Sequence, residues 1–147
     1  MIRKIDINDF ESIYNLGQTV NSNYINLYNL NDIINDGNQK LYVYIIEKKV
    51  VAFVHITVSF EEADIVDIVV LERFRHQNIG TKLINYVIVE NNLSKLNLEV
   101  RESNAIAIAF YQKLEFKIIR KIKKYYKNED ALFMVKEVKN KWKMYIF

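Results

Sequence analysis

The chain has 147 residues, half of them hydrophobic and 27% charged, with a formal net charge of +3: enough for one domain with a real core, too apolar for disorder, and too weakly basic to indicate by itself a nucleic-acid binder. It has no cysteine, which excludes disulfides, a thiolate nucleophile and sulfur-ligated zinc. No apolar run reaches the ~18 residues of a membrane span, and Met1-Ile2-Arg3-Lys4 lacks a signal-peptide core, so a cytoplasmic protein without membrane contact is expected.

With only three glycines and no proline, turns must be built from Asn, Asp and Lys. Met1–Ile7 alternates as a short strand, and Asn8 or Asp9 is placed to cap a helix that starts near Phe10 and carries Ile13, Leu16 and Val20 on one face. Asn21–Asn38 is Asn-rich with recurring apolar residues; it predicts a second, irregular helix ended by Asp36-Gly37, in a natural position for a substrate-facing loop. Leu41–Glu47 and Val50–Phe60 read as a hairpin joined at Lys48-Lys49, and Glu61-Glu62 turns the chain into a third strand, Ile65–Leu71. That strand is β-branched and apolar apart from Asp67, as befits a buried central strand.

The polar turn Glu72–Asn78 feeds a helix over Ile79–Asn91. A strand delivered to a helix N-terminus in this way presents unpaired backbone N–H groups and the positive end of the helix dipole, which together receive phosphate. A strand at Lys95–Arg101, a helix at Ser103–Leu114 and a strand pair, Phe116–Tyr125 with Ala131–Val138, complete the order. No repeat or linker divides the chain, so residues 1–147 are read as one domain, mixed α/β around one twisted sheet, with the aromatic stretch Trp142–Phe147 packing on its edge or on a partner.

Along Lys95–Arg101 the residues Leu96, Leu98 and Val100 share one face, and Asn97, Glu99 and Arg101 the other. Glu99 is thus a carboxylate turned from the main apolar face. It is either a surface group paired with Arg101 or a lysine, or a general base. With two histidines far apart in sequence and no cysteine, neither a metal site nor a serine triad has much support.

Two stretches carry a resemblance. Arg75-His76-Gln77-Asn78-Ile79-Gly80 resembles the pyrophosphate-cradling motif of the GNAT N-acetyltransferases. Leu98-Glu99-Val100-Arg101-Glu102-Ser103-Asn104, followed by Ala107 to Phe116, is similar to the signature of that family's ribosomal-protein-alanine (RimI-type) branch. Arg120 to Tyr126 and Glu129 to Met134 resemble further pieces of it. The resemblance covers Ile65 to Met134 and implies the GNAT fold, in which the strand before the anion loop and the next one splay apart around the acetyl-pantetheine arm.

The resemblance also implies acetyl-coenzyme A as donor, with no metal, and a protein N-terminal α-amine as acceptor, in the first place the alanine of a ribosomal protein. It makes Glu99 the general base and Tyr111 the donor to the departing thiolate. Ile68, Val69 and Val70 would serve the pantetheine through their main chain, His76, Gln77, Asn78, Ile79, Gly80 and Thr81 would surround the pyrophosphate, and Asn104 would hydrogen-bond the coenzyme. Tyr111 as a core aromatic and Asn104 as a helix cap are the rival roles. At the level of function, the rivals are a small-molecule amine or lysine acceptor and a degenerate domain that binds through the basic run Lys117–Lys127. Three positions depart from the family pattern: Asn78 and Glu115 stand where it has glycine, and Glu72 where it commonly has proline. Asn tolerates left-handed backbone angles, whereas a left-handed Glu115 costs about 1 kcal/mol.

Overall fold

The computed structural model describes residues 1–138, and the aromatic stretch Trp142–Phe147 lies outside them. A seven-stranded mixed sheet runs through the molecule in the order β1-β2-β3-β4-β5-β7-β6. The strands are β1 (Ile2–Lys4), β2 (Gln39–Ile46), β3 (Lys49–Ser59), β4 (Glu62–Val70), β5 (Lys95–Arg101), β6 (Lys117–Tyr126) and β7 (Glu129–Glu137). Helices α1 (Phe10–Val20), α2 (Tyr24–Leu27) and α3 (Leu30–Asn35) cover one face, with Ile13, Leu16, Tyr24, Leu30 and Ile33 packed against Leu41, Val43, Phe53 and Val69. Helices α4 (Ile79–Glu90) and α5 (Ala105–Lys113) belong to the other, where Leu83, Ile84, Val87 and Tyr111 meet Val54, Ile65, Leu96 and Leu98.

The expected mixed α/β architecture stands, with local corrections. The predicted second helix is two short ones broken at Tyr28-Asn29, because Asn29 caps α3 by accepting from the Asp32 N–H. The hairpin turn is Glu47-Lys48 rather than Lys48-Lys49: both have positive φ (49° and 66°), the backbone that a tight two-residue turn between twisted strands demands. Asp9 precedes α1 as anticipated, yet its carboxylate makes no cap. It binds Arg3 at 2.7 Å and accepts from the Asp6 N–H, while Asp6 caps the preceding single turn at Ile7–Asp9. The β-branched run in α4 is helical because Ile79, Gly80, Leu83, Ile84, Val87 and Ile88 form one buried stripe at helical spacing, and burial of that stripe overrides propensity.

The join between β4 and β5 is the feature that builds a site. The two strands are parallel neighbours only at Glu62↔Lys95, Ala63↔Leu96 and Asp64↔Asn97. Beyond that rung β4 stays with β3 as far as Val70↔Ala52, and β5 stays with β7 as far as Arg101↔Ala131. The register against β3 slips where His55 faces Asp67 and Ile56 faces Ile65, leaving Val66 as an extra residue. A bulge bends its strand and adds twist, so the bulge at Val66 swings β4 away from β5 just after their last shared rung.

Candidate active site

The split strand leaves backbone groups without a ladder. Leu71 N–H donates to the Val51 carbonyl at 2.8 Å, and hydrogen-bonded pairs alternate along an antiparallel ladder. Val69 and Asp67 therefore also bond back to β3, whereas the N–H and C=O of Ile68 and Val70 point into the split. The Val70 carbonyl accepts from Arg75 Nε at 3.1 Å, which fits that direction. Of the three residues expected to serve through their main chain, Ile68 has both groups turned into the split, Val70 turns its N–H there while its carbonyl is held by Arg75, and Val69 is engaged by β3.

At the end of β4 the chain turns through Glu72–Phe74 into α4. Asn78 adopts the left-handed conformation, φ 62° and ψ 18°, at the residue before the helix. Asn is the non-glycine residue most tolerant of this region, and Asn78 adopts it. His76 is left-handed too, at φ 64°, and its side chain is exposed in the loop. The first intrahelical bond runs from Lys82 N–H to the Asn78 carbonyl, so the N–H groups of Ile79, Gly80 and Thr81 lie in the unpaired first turn. Gly80 is needed for a different reason from Asn78. A Cβ there would stand 2.8 Å from Phe110 Cζ of α5, so glycine lets the helix tip close onto α5.

Helix α5 carries both aromatics that the sequence left to be sorted. Phe110 is half-buried against Gly80, and Tyr111 is buried, edge-on to Phe110 and Phe116. Burial raises the Tyr111 phenol well above its ordinary value, and the Asp67 and Tyr126 groups raise it further, so it stays protonated. Asn104 caps α5, its Oδ1 accepting from the Ala107 N–H at 3.1 Å.

Glu99 lies on the face opposite Leu98 and Val100, exposed, and is not tied to Arg101. The Arg101 guanidinium instead binds Glu129 at 3.1 Å and lies over the Tyr126 ring at 4.1 Å. Partial burial and the nearby Asp64 carboxylate push the Glu99 carboxyl up, while Arg120 pulls it back. A carboxyl held above its usual range is a better proton acceptor from an ammonium ion.

Sequence reasoning passed over Asp67, noting it only as the polar exception in an apolar strand. It shares the face of Val69, which packs with Phe53 and Tyr24, and stands opposite His55 across the β3–β4 ladder. Burial raises its carboxyl to about 6, and the Tyr28 hydroxyl beside it eases that rise. His55 is 1% exposed, bonded to Gln39 at 2.8 Å, and held neutral by burial, with its pKa lowered to about 4. The overlooked signal was a lone carboxylate in a strand otherwise suited to complete burial.

Several comparisons bear on these features. The acetyltransferase (GNAT) family model matches residues 7–116. An N-alpha-acetyltransferase of Saccharolobus solfataricus is 40% identical over 77 residues, 49% of this chain and 46% of that protein. The ribosomal protein bS18-alanine N-acetyltransferase of Escherichia coli is 36% identical over 93 residues, 58% of this chain and 63% of its own. The chain thus spans about half to under two thirds of the length of these curated relatives. Over the whole fold, the crystal structure of Ard1 from Thermoplasma volcanium superposes with a TM-score of 0.80 at 32% identity, covering 94% of this chain and 97% of that one. With the split sheet, the left-handed loop and the family match all in register, the chain belongs to the GNAT family of acetyltransferases.

Proposed function

We propose that this chain transfers the acetyl group of acetyl-coenzyme A to the N-terminal α-amine of a protein, with the alanine of a ribosomal protein as first candidate. The donor half rests on the split between β4 and β5, which is the observation that carries the reading. A pantetheine arm lying there pairs with the main chain of Ile68 and the N–H of Val70, much as a peptide adds to a sheet edge. The pyrophosphate then meets the unpaired N–H groups of Ile79, Gly80 and Thr81 across the loop of His76, Gln77 and Asn78. Asn104 keeps its side-chain NH2 for the coenzyme while its oxygen caps α5.

In the reaction the amine nitrogen bonds to the thioester carbonyl carbon, and the carbon–sulfur bond breaks as the tetrahedral adduct collapses. Glu99 takes the proton the amine must lose, directly or through water. An N–H at the β4 edge supports the oxyanion, and the Tyr111 phenol protonates or hydrogen-bonds the departing thiolate. The acceptor half draws on the named activities of the Saccharolobus and Escherichia relatives.

A competition decides the acceptor. Protein and limiting acetyl-coenzyme A are mixed with equimolar peptides bearing free N-termini, an N-blocked peptide with an internal lysine, and a polyamine, and products are read by mass spectrometry. The reading expects acetyl groups on α-amines, first on alanine. Acetylation of the polyamine or lysine alone would replace the acceptor class while keeping the donor.

A further inference from the structure

Counting upward from the last shared rung, Asp64–Asn97, and passing over the bulged Val66, Asp67 is two rungs up β4 as Glu99 is two rungs up β5. Both are on the sheet face that α1 to α3 cover elsewhere. Asp67 and Glu99 are therefore level with each other on the two lips of the split.

Around Asp67 the protein offers aromatic hydroxyls and a neutral imidazole. Tyr24 and Tyr28 feel its charge from the α2 side, His55 is its cross-strand neighbour, and Tyr111 feels it from the opposite face of the sheet. Among the described residues, no salt bridge reaches it. A carboxylate withdrawn from water without a counter-ion is costly.

The neighbourhood also holds polar atoms without partners. Asn97, 9% exposed, has its Oδ1 buried and unbonded at the apex of the split, on the same face as Asp67 and Glu99. His55 Nδ1 and the Tyr24 hydroxyl are likewise buried without partners beside Asp67. An anion lacking its cation, together with an orphaned acceptor at the same apex, describes a receptor for a group that is positively charged and donates several hydrogen bonds. An alkylammonium is such a group.

We infer that Asp67 is the anchor for the acceptor's ammonium, holding the cation opposite Glu99 before its proton is taken and selecting against acceptors with a carboxylate beside the amine. This rests on the acetyltransferase reading above and adds the residue that binds the acceptor and the charge it prefers. Asp67 supplies attraction rather than proton transfer, so its removal should raise acceptor KM more than it lowers kcat. A negatively charged first side chain would meet the same carboxylate, and like charges in this half-buried setting repel.

The test compares wild type with Asp67→Asn, Asp67→Ser and Tyr28→Phe. Steady-state rates are measured on peptides that begin with Ala, Ser, Asp or Glu and on a polyamine, and acetyl-coenzyme A affinity is measured by calorimetry. Peptide binding to coenzyme-A-saturated protein is titrated as a readout free of turnover. Both Asp67 variants should raise acceptor KM by about tenfold or more, the scale of one charged hydrogen bond, with acetyl-coenzyme A affinity within about twofold. They should also narrow the preference for Ala over Asp and Glu by about tenfold.

Unchanged acceptor KM in the Asp67 variants, or an equal loss of coenzyme and acceptor affinity, overturns the inference. So does a Tyr28→Phe variant that reproduces the whole effect, since Asp67 would then act only by holding Tyr28. A wild type that acetylates the polyamine and no peptide overturns the N-terminal reading alone, and the KM shift on the polyamine still decides the role of Asp67. A wild type that neither binds nor acetylates any acceptor contradicts both.

Discussion

Asp67, Glu99 and Tyr111 differ in protonation behaviour, and environment accounts for each. Tyr111 is buried and stays protonated, whereas Glu99 is exposed with its carboxyl lifted by partial burial and Asp64. Changing Glu99→Gln or Tyr111→Phe should slow turnover by about 100-fold, the lower end of general acid–base contributions. Calorimetry should find acetyl-coenzyme A binding nearly intact in both. Wild-type rates in both variants would show that the roles lie elsewhere.

Asp67 adds a test of stability with a definite sign. Its carboxyl sits at about 6 in the folded protein against an ordinary 3.8, so the folded state holds the proton more tightly. Its contribution is complete below the ordinary value and is lost as pH rises through about 6. His55 runs the opposite way: with its pKa lowered from 6.5 to about 4, it favours folding above the ordinary value and loses that as pH falls through about 4. In the wild type the two trends offset each other between those limits.

The Asp67→Asn variant keeps only the His55 trend. It should be more stable than wild type by about 3 kcal/mol at pH 7.5, a gain that shrinks toward zero by about pH 4. Urea unfolding across that range checks it, and a variant less stable at neutral pH would mean that Asp67 is satisfied inside the fold. Losing acceptor affinity while gaining stability is the trade expected of a functional buried charge.

Among the elements, the helices show where the sequence was transparent and where it was not. Helix α1 and strand β5 were legible from periodicity, since each has one face in a core and one toward water, although Val20, expected on the α1 apolar face with Ile13 and Leu16, is exposed at the helix end. The region 21–38 was not, because short Asn-rich helices are held by capping and by packing such as Gly17 against the Tyr24 ring, neither of which leaves a period. Asn78 was legible as a left-handed residue from its chemistry, but the need for Gly80 was not, because it comes from Phe110, thirty residues downstream on another helix.

Gly80→Ala should weaken acetyl-coenzyme A binding by about tenfold, since an intruding methyl must displace either the helix tip or Phe110, and misplaced binding groups are expensive. Pairing it with Phe110→Leu, which shortens the obstructing side chain, should recover part of that loss. Calorimetry on the two variants decides it, and an unaltered affinity in Gly80→Ala would mean that the tip does not grip the coenzyme. At the other end of α5, Glu115 has φ 70°. Glu115→Gly should stabilise the fold by about 1 kcal/mol by relieving that conformation. Urea unfolding reads it, with no gain as the contrary result.

For the molecule as a whole, the order of elements along the chain and the anion turn could be read from residues, whereas the split was expected only from the family resemblance. It depends on a bulge at Val66 set by pairing with β3, and register is a property of two strands together. The same bulge brings Asp67 level with Glu99, which is why a lone polar residue in β4 looked incidental in the sequence and is central in the fold. Sheet geometry, more than any single side chain, sets up this scaffold: it frees one edge of β4 and leads the strand into the turn before α4.

Amide hydrogen exchange followed residue by residue, with and without acetyl-coenzyme A, tests that geometry most directly. The Ile68 and Val70 amides should exchange readily in the free protein and become protected when the coenzyme is added, while the Val69 amide stays protected throughout by its bond to β3. If Ile68 and Val70 are already protected without ligand, or remain unprotected at saturating coenzyme, the split does not hold the pantetheine arm.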